Sequence, residues 1–582
     1  MNLRRSPLLG AVGSRIRARV AAGLALWALP LSGLAAAPPP IAGVAGSKHD
    51  LSLVGPGPIK AVTESGVCVF CHTPHHSTSD TPLWNRSLST AVYVPYSSST
   101  MKAIVGQPSG SSKLCLSCHD GTIALGLVNT RPSGIQMQNG VTTFPPGPNL
   151  MGTDLSHHHP VSFTYDKALV AANGQLADPS TLNNKVRLDP NQQVQCTSCH
   201  DPHNNQFGVF LVQDNTASAL CLSCHSLTPA WPQSAHGASA KTWNGSGLNP
   251  WPSAKATLRT PAANACGSCH AAHVPGGGPR LLRYAVDELN CYTCHAGTVA
   301  AMDIKTEFDK LSVHPITGTT AVHDPMEDPL NAPRHVKCVD CHNPHAARHA
   351  PAQAPAASGA LAAVKGANLA GSVVNPLTKE YELCLRCHGD NLSRSQTRVS
   401  RQYSQTSTRL KFSITSASYH PVAARGRNAN VPSLLPPYTT GSLIYCTDCH
   451  NNDQGPGANG AGPRGPHGST YPPLLERALI MTDGLTESPT AYALCYKCHD
   501  RDRLFTDQSF PHRKHVQDAR NACTSCHDPH GVQQKGRLIS FNTLYATKSS
   551  NGRLDFNQTG LFRGNCSVTC HGKDHRATPY PQ

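Results

Sequence analysis

The sequence predicts a chain that is mostly coil with short α-helices and little or no β-sheet, wrapped around apolar bulk that the polypeptide does not itself supply. Three observations lead there. The 582 residues are enough for several domains, yet aromatics make up only 5%, charged residues 14%, and there are 47 Gly and 48 Pro. Such a composition lacks the material for one large apolar core. The chain nevertheless carries 24 cysteines and 32 histidines. Every cysteine belongs to one repeated pattern, two thiols followed at once by a histidine.

The stretch Cys196-Thr-Ser-Cys199-His200-Asp-Pro-His203 recurs unchanged at Cys523–His530. Its first five residues are the attachment signature of c-type haem: two thiols bond the porphyrin vinyls and the next histidine ligates the iron. The full set is Cys68 and Cys71 with His72, Cys115 and Cys118 with His119, Cys196 and Cys199 with His200, and Cys221 and Cys224 with His225. It continues with Cys266 and Cys269 with His270, Cys291 and Cys294 with His295, Cys338 and Cys341 with His342, and Cys384 and Cys387 with His388. Cys446 and Cys449 with His450, Cys495 and Cys498 with His499, Cys523 and Cys526 with His527, and Cys566 and Cys570 with His571 complete it. The last has one extra residue between its thiols. Zinc ribbons and disulfide frameworks also use C-x-x-C, but neither needs histidine next. With 32 histidines in 582 residues, twelve random positions hold fewer than one. Twelve covalent haems c are therefore the expected cofactors, and they supply the missing core.

A second axial ligand is needed on each iron. Seven methionines cannot serve twelve haems, whereas twenty histidines remain after the twelve proximal ones. Bis-histidine ligation, which keeps potentials low, follows. Five motifs carry a histidine three residues beyond the proximal one: His75, His203, His273, His345 and His530. That histidine cannot swing round its own porphyrin, so it is expected to reach the other haem of its pair; for His203 this is the haem at Cys221 and Cys224. In the fifth unit His467 stands in for it. Upstream histidines His49, His159, His236, His314, His420 and His515 are expected to complete the first haem of each unit, with His157, His158, His335 and His512 as substitutes.

The motifs fall into six pairs. The first member tends to read C-x-x-C-H-x-P-H, and the second tends to follow a leucine, as in Leu114-Cys115 and Leu383-Cys384. Paired-haem units are placed at 38–155, 156–230, 231–300, 301–400, 401–505 and 506–582. Residues 1–37 read as a secretion signal, with five arginines, an apolar run from Val20 to Leu34 and small residues at Gly33 and Ala35–Ala37. That run is shorter than the roughly 20 apolar residues of a spanning helix. Short helical turns are expected at each motif, loops over 346–373 and 451–468, short helices over Met302–Leu311 and Pro473–Asp483, and a strand at Thr90–Tyr96.

These paired motifs resemble those of multihaem c-type cytochromes with doubled C-x-x-C-H units, over about residues 49–575. The resemblance implies closely spaced bis-histidine haems forming a continuous electron path. The expected function is an exported electron carrier, periplasmic, outer-membrane-associated or extracellular, without a catalytic site. Its expected partners are other redox cytochromes or reductases, an outer-membrane porin, or further copies in a filament. The alternative is a multihaem reductase of nitrite, hydroxylamine or a sulfur oxyanion, which needs one open iron; no C-x-x-C-K occurs to mark it. The formal charge of +15 falls to +10 without the five leader arginines. Haem propionates offset that excess, so it is read as internal counter-charge and not as a nucleic-acid surface.

Overall fold

The computed structural model describes residues 43–582, apart from 76, 78–82, 228–229, 253, 274–276, 318–322, 392–397, 508 and 582. The expected secretion signal lies outside the described residues. Regular structure is short. The longest helices are α1 (Gly110–His119), α2 (Asp287–His295) and α3 (Glu380–His388), each ending on the histidine of a motif. No described helix is long and apolar enough to cross a membrane.

Eleven motifs form a helical turn, because in that geometry residues i and i+3 share a face. The two thiols thus project together, and the histidine N–H closes the turn onto the first cysteine's carbonyl, as from His72 to Cys68 (2.8 Å) and from His200 to Cys196 (2.9 Å). The residue between the thiols often caps the turn: Ser198 Oγ accepts from Gln195 N–H, Asp340 Oδ2 from Lys337 N–H, and Asp448 Oδ2 from Tyr445 N–H. Such reciprocal caps satisfy donors that a short helix leaves open.

The polypeptide's own apolar core is broken up. Buried side chains form small separate clusters, and several pack against motif cysteines: Tyr492 and Val516 beside Cys495 and Cys523, and Phe541 and Val568 beside Cys526 and Cys566. That is the arrangement expected of a chain folded round another apolar body.

Sheet is minor, but not confined to single bridges. Two-residue antiparallel pairs join distant segments: Ser312–Val313 with Gly468–Ser469, and Ser418–Tyr419 with Gly531–Val532. At the C-terminal end lies a four-stranded antiparallel sheet of β1 (Ala546–Thr547), β2 (Asp555–Gly560), β3 (Arg563–Cys570) and β4 (Lys573–Tyr580). The twelfth motif sits on β3, not on a helical turn. Elsewhere the expected Thr90–Tyr96 strand reduces to one bridge at Val94. Met302–Leu311 holds only a 3-10 turn at Thr306–Asp309, and Pro473–Asp483 has no helix.

Candidate functional site

Two imidazoles bound to one iron from opposite sides, at metal–nitrogen distances of about 2 Å, put their ring centres about 6 Å apart. Histidine rings recur at that spacing throughout the protein. His72 faces His203 at 6.0 Å, His200 faces His273 at 6.2 Å, and His270 faces His345 at 6.1 Å. His342 faces His467 at 6.2 Å and His450 faces His530 at 6.0 Å. The second motif of each pair follows a different rule: His119 faces His49 (6.3 Å), His225 faces His159 (6.3 Å), His295 faces His236 (5.9 Å) and His388 faces His314 (6.4 Å). His499 is lowered to about 4 by burial and then by His420, and His512 to about 4 by burial and then by His527. Those neighbours extend the two series. Beside each motif cysteine pair, these ring pairs fit a bis-histidine c-type haem.

Ring orientation is fixed by backbone carbonyls. Nδ1 of His119 donates to Asn149 O (2.7 Å), that of His200 to Val209 O (2.9 Å), that of His270 to Arg280 O (3.0 Å), and that of His527 to Arg537 O (2.9 Å). This leaves Nε2 as the nitrogen free to bind a metal. Burial lowers His225, His295 and His388 to about 4 and His273 to about 3. These four rings are thereby held neutral, the form that binds metal.

The facing rings are paired differently from the expected allocation. His203 faces the first motif of the preceding unit, His72, and not the Cys221 motif of its own pair, whose His225 faces His159. The physical reason is the chain's direction. His200 leaves its turn extended (φ −122°, ψ 137°), which carries Asp201-Pro202-His203 away from its own pair. Upstream histidines in turn reach the second motif of their unit, not the first. The same x-Pro-His loop holds them there: Nδ1 of His236 donates to Pro344 O (2.9 Å), that of His314 to Pro466 O (2.9 Å), and that of His420 to Pro529 O. In the third unit Ala replaces Pro, and there His159 N–H donates to Ala272 O (2.7 Å) while the Nδ1 atoms of His158 and His273 lie 3.1 Å apart.

Three expected ligands stand elsewhere. His75 is exposed, and no histidine ring among the described residues stands at this spacing from it. His515 faces His575 at 6.2 Å instead of His527. His571 is exposed at a hairpin turn, with its Nε2 2.7 Å from Asp483 Oδ2. Sequence reasoning missed His575 altogether. The alternation Cys566-Ser-Val568-Thr-Cys570, followed by His571-Gly572, is a strand-and-turn signal that points to it.

Consecutive motifs touch in sequence order. The thiols of Cys115 and Cys196, Cys221 and Cys266, Cys291 and Cys338, Cys384 and Cys446, and Cys495 and Cys523 are neighbours, the second of each pair being the foremost cause that raises the first. These contacts link the second motif of one unit to the first of the next. Within units, burial raises Cys71, Cys199, Cys269 and Cys526, and the next influence on each is Cys118, Cys224, Cys294 and Cys566. In Cys341 and Cys449 burial again comes first, and Cys387 and Cys498 act beside Asp340 and Lys497.

Buried cations are largely paired with the protein's own carboxylates, which narrows the expected counter-charge role: Lys337 with Glu288, Lys411 with Asp528 (each 2.7 Å) and Lys497 with Glu476 (2.8 Å). His323, Glu327, His335 and Asp340 converge closely enough to suggest a metal. The Arg386 guanidinium, 2.8 Å from both carboxylates, already supplies the positive charge there.

Comparison with known families gives three matches. Residues 370–539 match outer membrane cytochrome MtrC/MtrF-like, domains II/IV; residues 189–229 match the doubled CXXCH motif; residues 220–296 match cytochrome c554 and c-prime. No curated protein matches the chain.

Proposed function

We propose that this chain, a multihaem c-type cytochrome by its family matches, carries electrons along twelve covalently attached haems arranged in the order of the sequence. The observation that carries the reading is the set of ten facing histidine ring pairs, 5.9–6.4 Å apart, set along motifs whose thiols neighbour one another in sequence order. Bound haem supplies the one-electron chemistry; the polypeptide's task is to hold and tune it.

In this reading the two thiols of each motif anchor the porphyrin edge. The proximal and distal imidazoles close both axial positions, which keeps potentials low and leaves no iron open to a substrate. Carbonyls on Nδ1 lock the tautomer. The paired cysteines keep neighbouring sites close enough for direct exchange. The units at 38–155, 156–230, 231–300, 301–400, 401–505 and 506–582 are then links, joined by x-Pro-His loops that ligate backwards. Resemblance to outer membrane cytochromes over 370–539 supports export towards the outer membrane or beyond, with other redox cytochromes or a porin as partners.

The test is an intact mass with a reductive titration. Twelve haems, twelve electrons per chain and ferric spectra free of high-spin signal are expected. Ten or fewer haems, or a high-spin centre that turns over nitrite or hydroxylamine, overturns the proposal.

A further inference from the structure

We propose that the twelfth haem is held by Cys566 and Cys570 with His575 and His515 as its axial ligands, and that His571, although it follows the second cysteine directly, is not a ligand. This rests on the reading that the twelfth motif binds haem at all.

Strand geometry is the first argument. Successive side chains of a strand point to opposite faces, so residues four apart share a face. Cys566, Val568 and Cys570 therefore project together from β3, whereas the residue after Cys570 turns away. The extra residue between these thiols, which spoils a helical i, i+3 pair, suits the strand period of two. Directly opposed residues of antiparallel strands share a face. His575 opposes Val568 and Thr578 opposes Cys566, with a register shift between the two pairs. His575 is thus delivered to the side of the thiols. An apolar cleft there is lined by Cys566, Val568, Cys570, Phe541, His515 and His575, and not by His571.

Ligand geometry is the second argument. In the other units the upstream histidine faces the proximal histidine of the second motif, at 5.9–6.4 Å where ring centres are measured. In the sixth unit the upstream histidine is His515, its Nδ1 fixed by Pro511 O at 2.9 Å. The ring facing it, at 6.2 Å and 31°, is that of His575. His575 occupies the proximal place.

The third argument is the state of His571. The proximal rings of His119, His200, His270, His342, His450, His499 and His527 commit Nδ1 and keep Nε2 free. His571 commits Nε2, 2.7 Å from Asp483 Oδ2. Asp483 is 2% exposed and also accepts from Ala522 N–H at 2.8 Å. His571 itself lies at φ +47°, in the two-residue turn between Cys570 and its strand partner Lys573. Its role is to close the hairpin and to partner a buried carboxylate.

The experiment compares His575→Ala, His571→Ala and His571→Asn, the last keeping a donor for Asp483, in the full chain by intact mass and ferric spin state. A wild-type mass of eleven haems would remove the underlying site and be recognisable as that failure. With twelve haems in the wild type, His575→Ala is expected either to lose one haem or to turn one high-spin, returned to low-spin by added imidazole. Both His571 variants are expected to keep twelve low-spin haems. The inference is overturned if His571→Ala costs the haem or its spin state as much as His575→Ala does. It is overturned equally if His575→Ala keeps twelve haems that all stay low-spin without imidazole.

Discussion

Replacing His530 by Ala tests the backward reach of the x-Pro-His loops. His530 lies three residues beyond His527 in sequence, yet its ring stands 6.0 Å from His450, nearly parallel at 12°, and packs edge-on against Phe412. The expected casualty is therefore the haem at Cys446 and Cys449, in the preceding unit. One haem in twelve should become high-spin, and the rest should be unchanged. Near-infrared magnetic circular dichroism counts that fraction, and deletion backgrounds locate it. With Cys446 and Cys449 both replaced by Ser, adding His530→Ala should produce no new high-spin signal, because the affected haem is already gone. With Cys523 and Cys526 replaced by Ser, the same substitution should still produce one. The opposite pattern, in which the signal vanishes with the Cys523 haem, would return His530 to its own motif and refute the backward assignment.

Three further outcomes are expected. Glu487, 2% exposed, accepts from Arg501 at 2.7 Å; the Arg501 hydrogen bonds hold it below the ordinary carboxylate value of 4.5, against the upward push of burial. That stabilisation is present above pH about 4.5 and lost as pH falls through the folded value, so Arg501→Leu should cost about 2 kcal/mol at pH 7. The deficit should shrink in denaturant melts at pH 4, and a pH-independent deficit would contradict this. A Cβ on Gly468 would meet Glu307 O at 1.7 Å, so Gly468→Ala should cost about 1–3 kcal/mol in thermal melts and, by displacing His467, turn the Cys338 haem high-spin. Lys411→Met takes from the buried Asp528 carboxylate its ammonium partner at 2.7 Å at a cost of about 3–5 kcal/mol, and Lys411→Met with Asp528→Asn should recover most of it in guanidinium melts.

What the sequence made legible is what short-range geometry controls. Two cysteines three apart and a histidine next to them demand a helical turn, and eleven turns are there. The six-fold pairing and the coil-rich fold follow from the same repeat. Direction was not legible. Spacing says that His203 is three residues past His200, but not that His200 leaves its turn extended and aims the loop at the preceding unit. The exchange of near and upstream histidines comes from that one backbone feature. At the twelfth motif the error had a different source. Adjacency to Cys570 suggested His571, because adjacency works in a helix; in a strand the same adjacency puts the residue on the wrong face, and the histidine across the hairpin takes the place.

The first and sixth units show what the repeat requires. Each x-Pro-His loop serves the unit before it twice, its histidine facing the first motif and the carbonyl before that histidine fixing the ring that faces the second. A unit is thus completed only by its successor. In the first unit the loop histidine, His75, is exposed. In the sixth, two upstream histidines stand a helical turn apart: His512 beside His527, and His515 facing His575. There the Phe510-Pro-His-Arg-Lys-His515 segment and the four-stranded sheet take the part that a following x-Pro-His loop plays in the other units. The two irregular features of the sequence, a doubled upstream histidine and a widened cysteine pair, thus meet in one unit, which supplies its own facing rings.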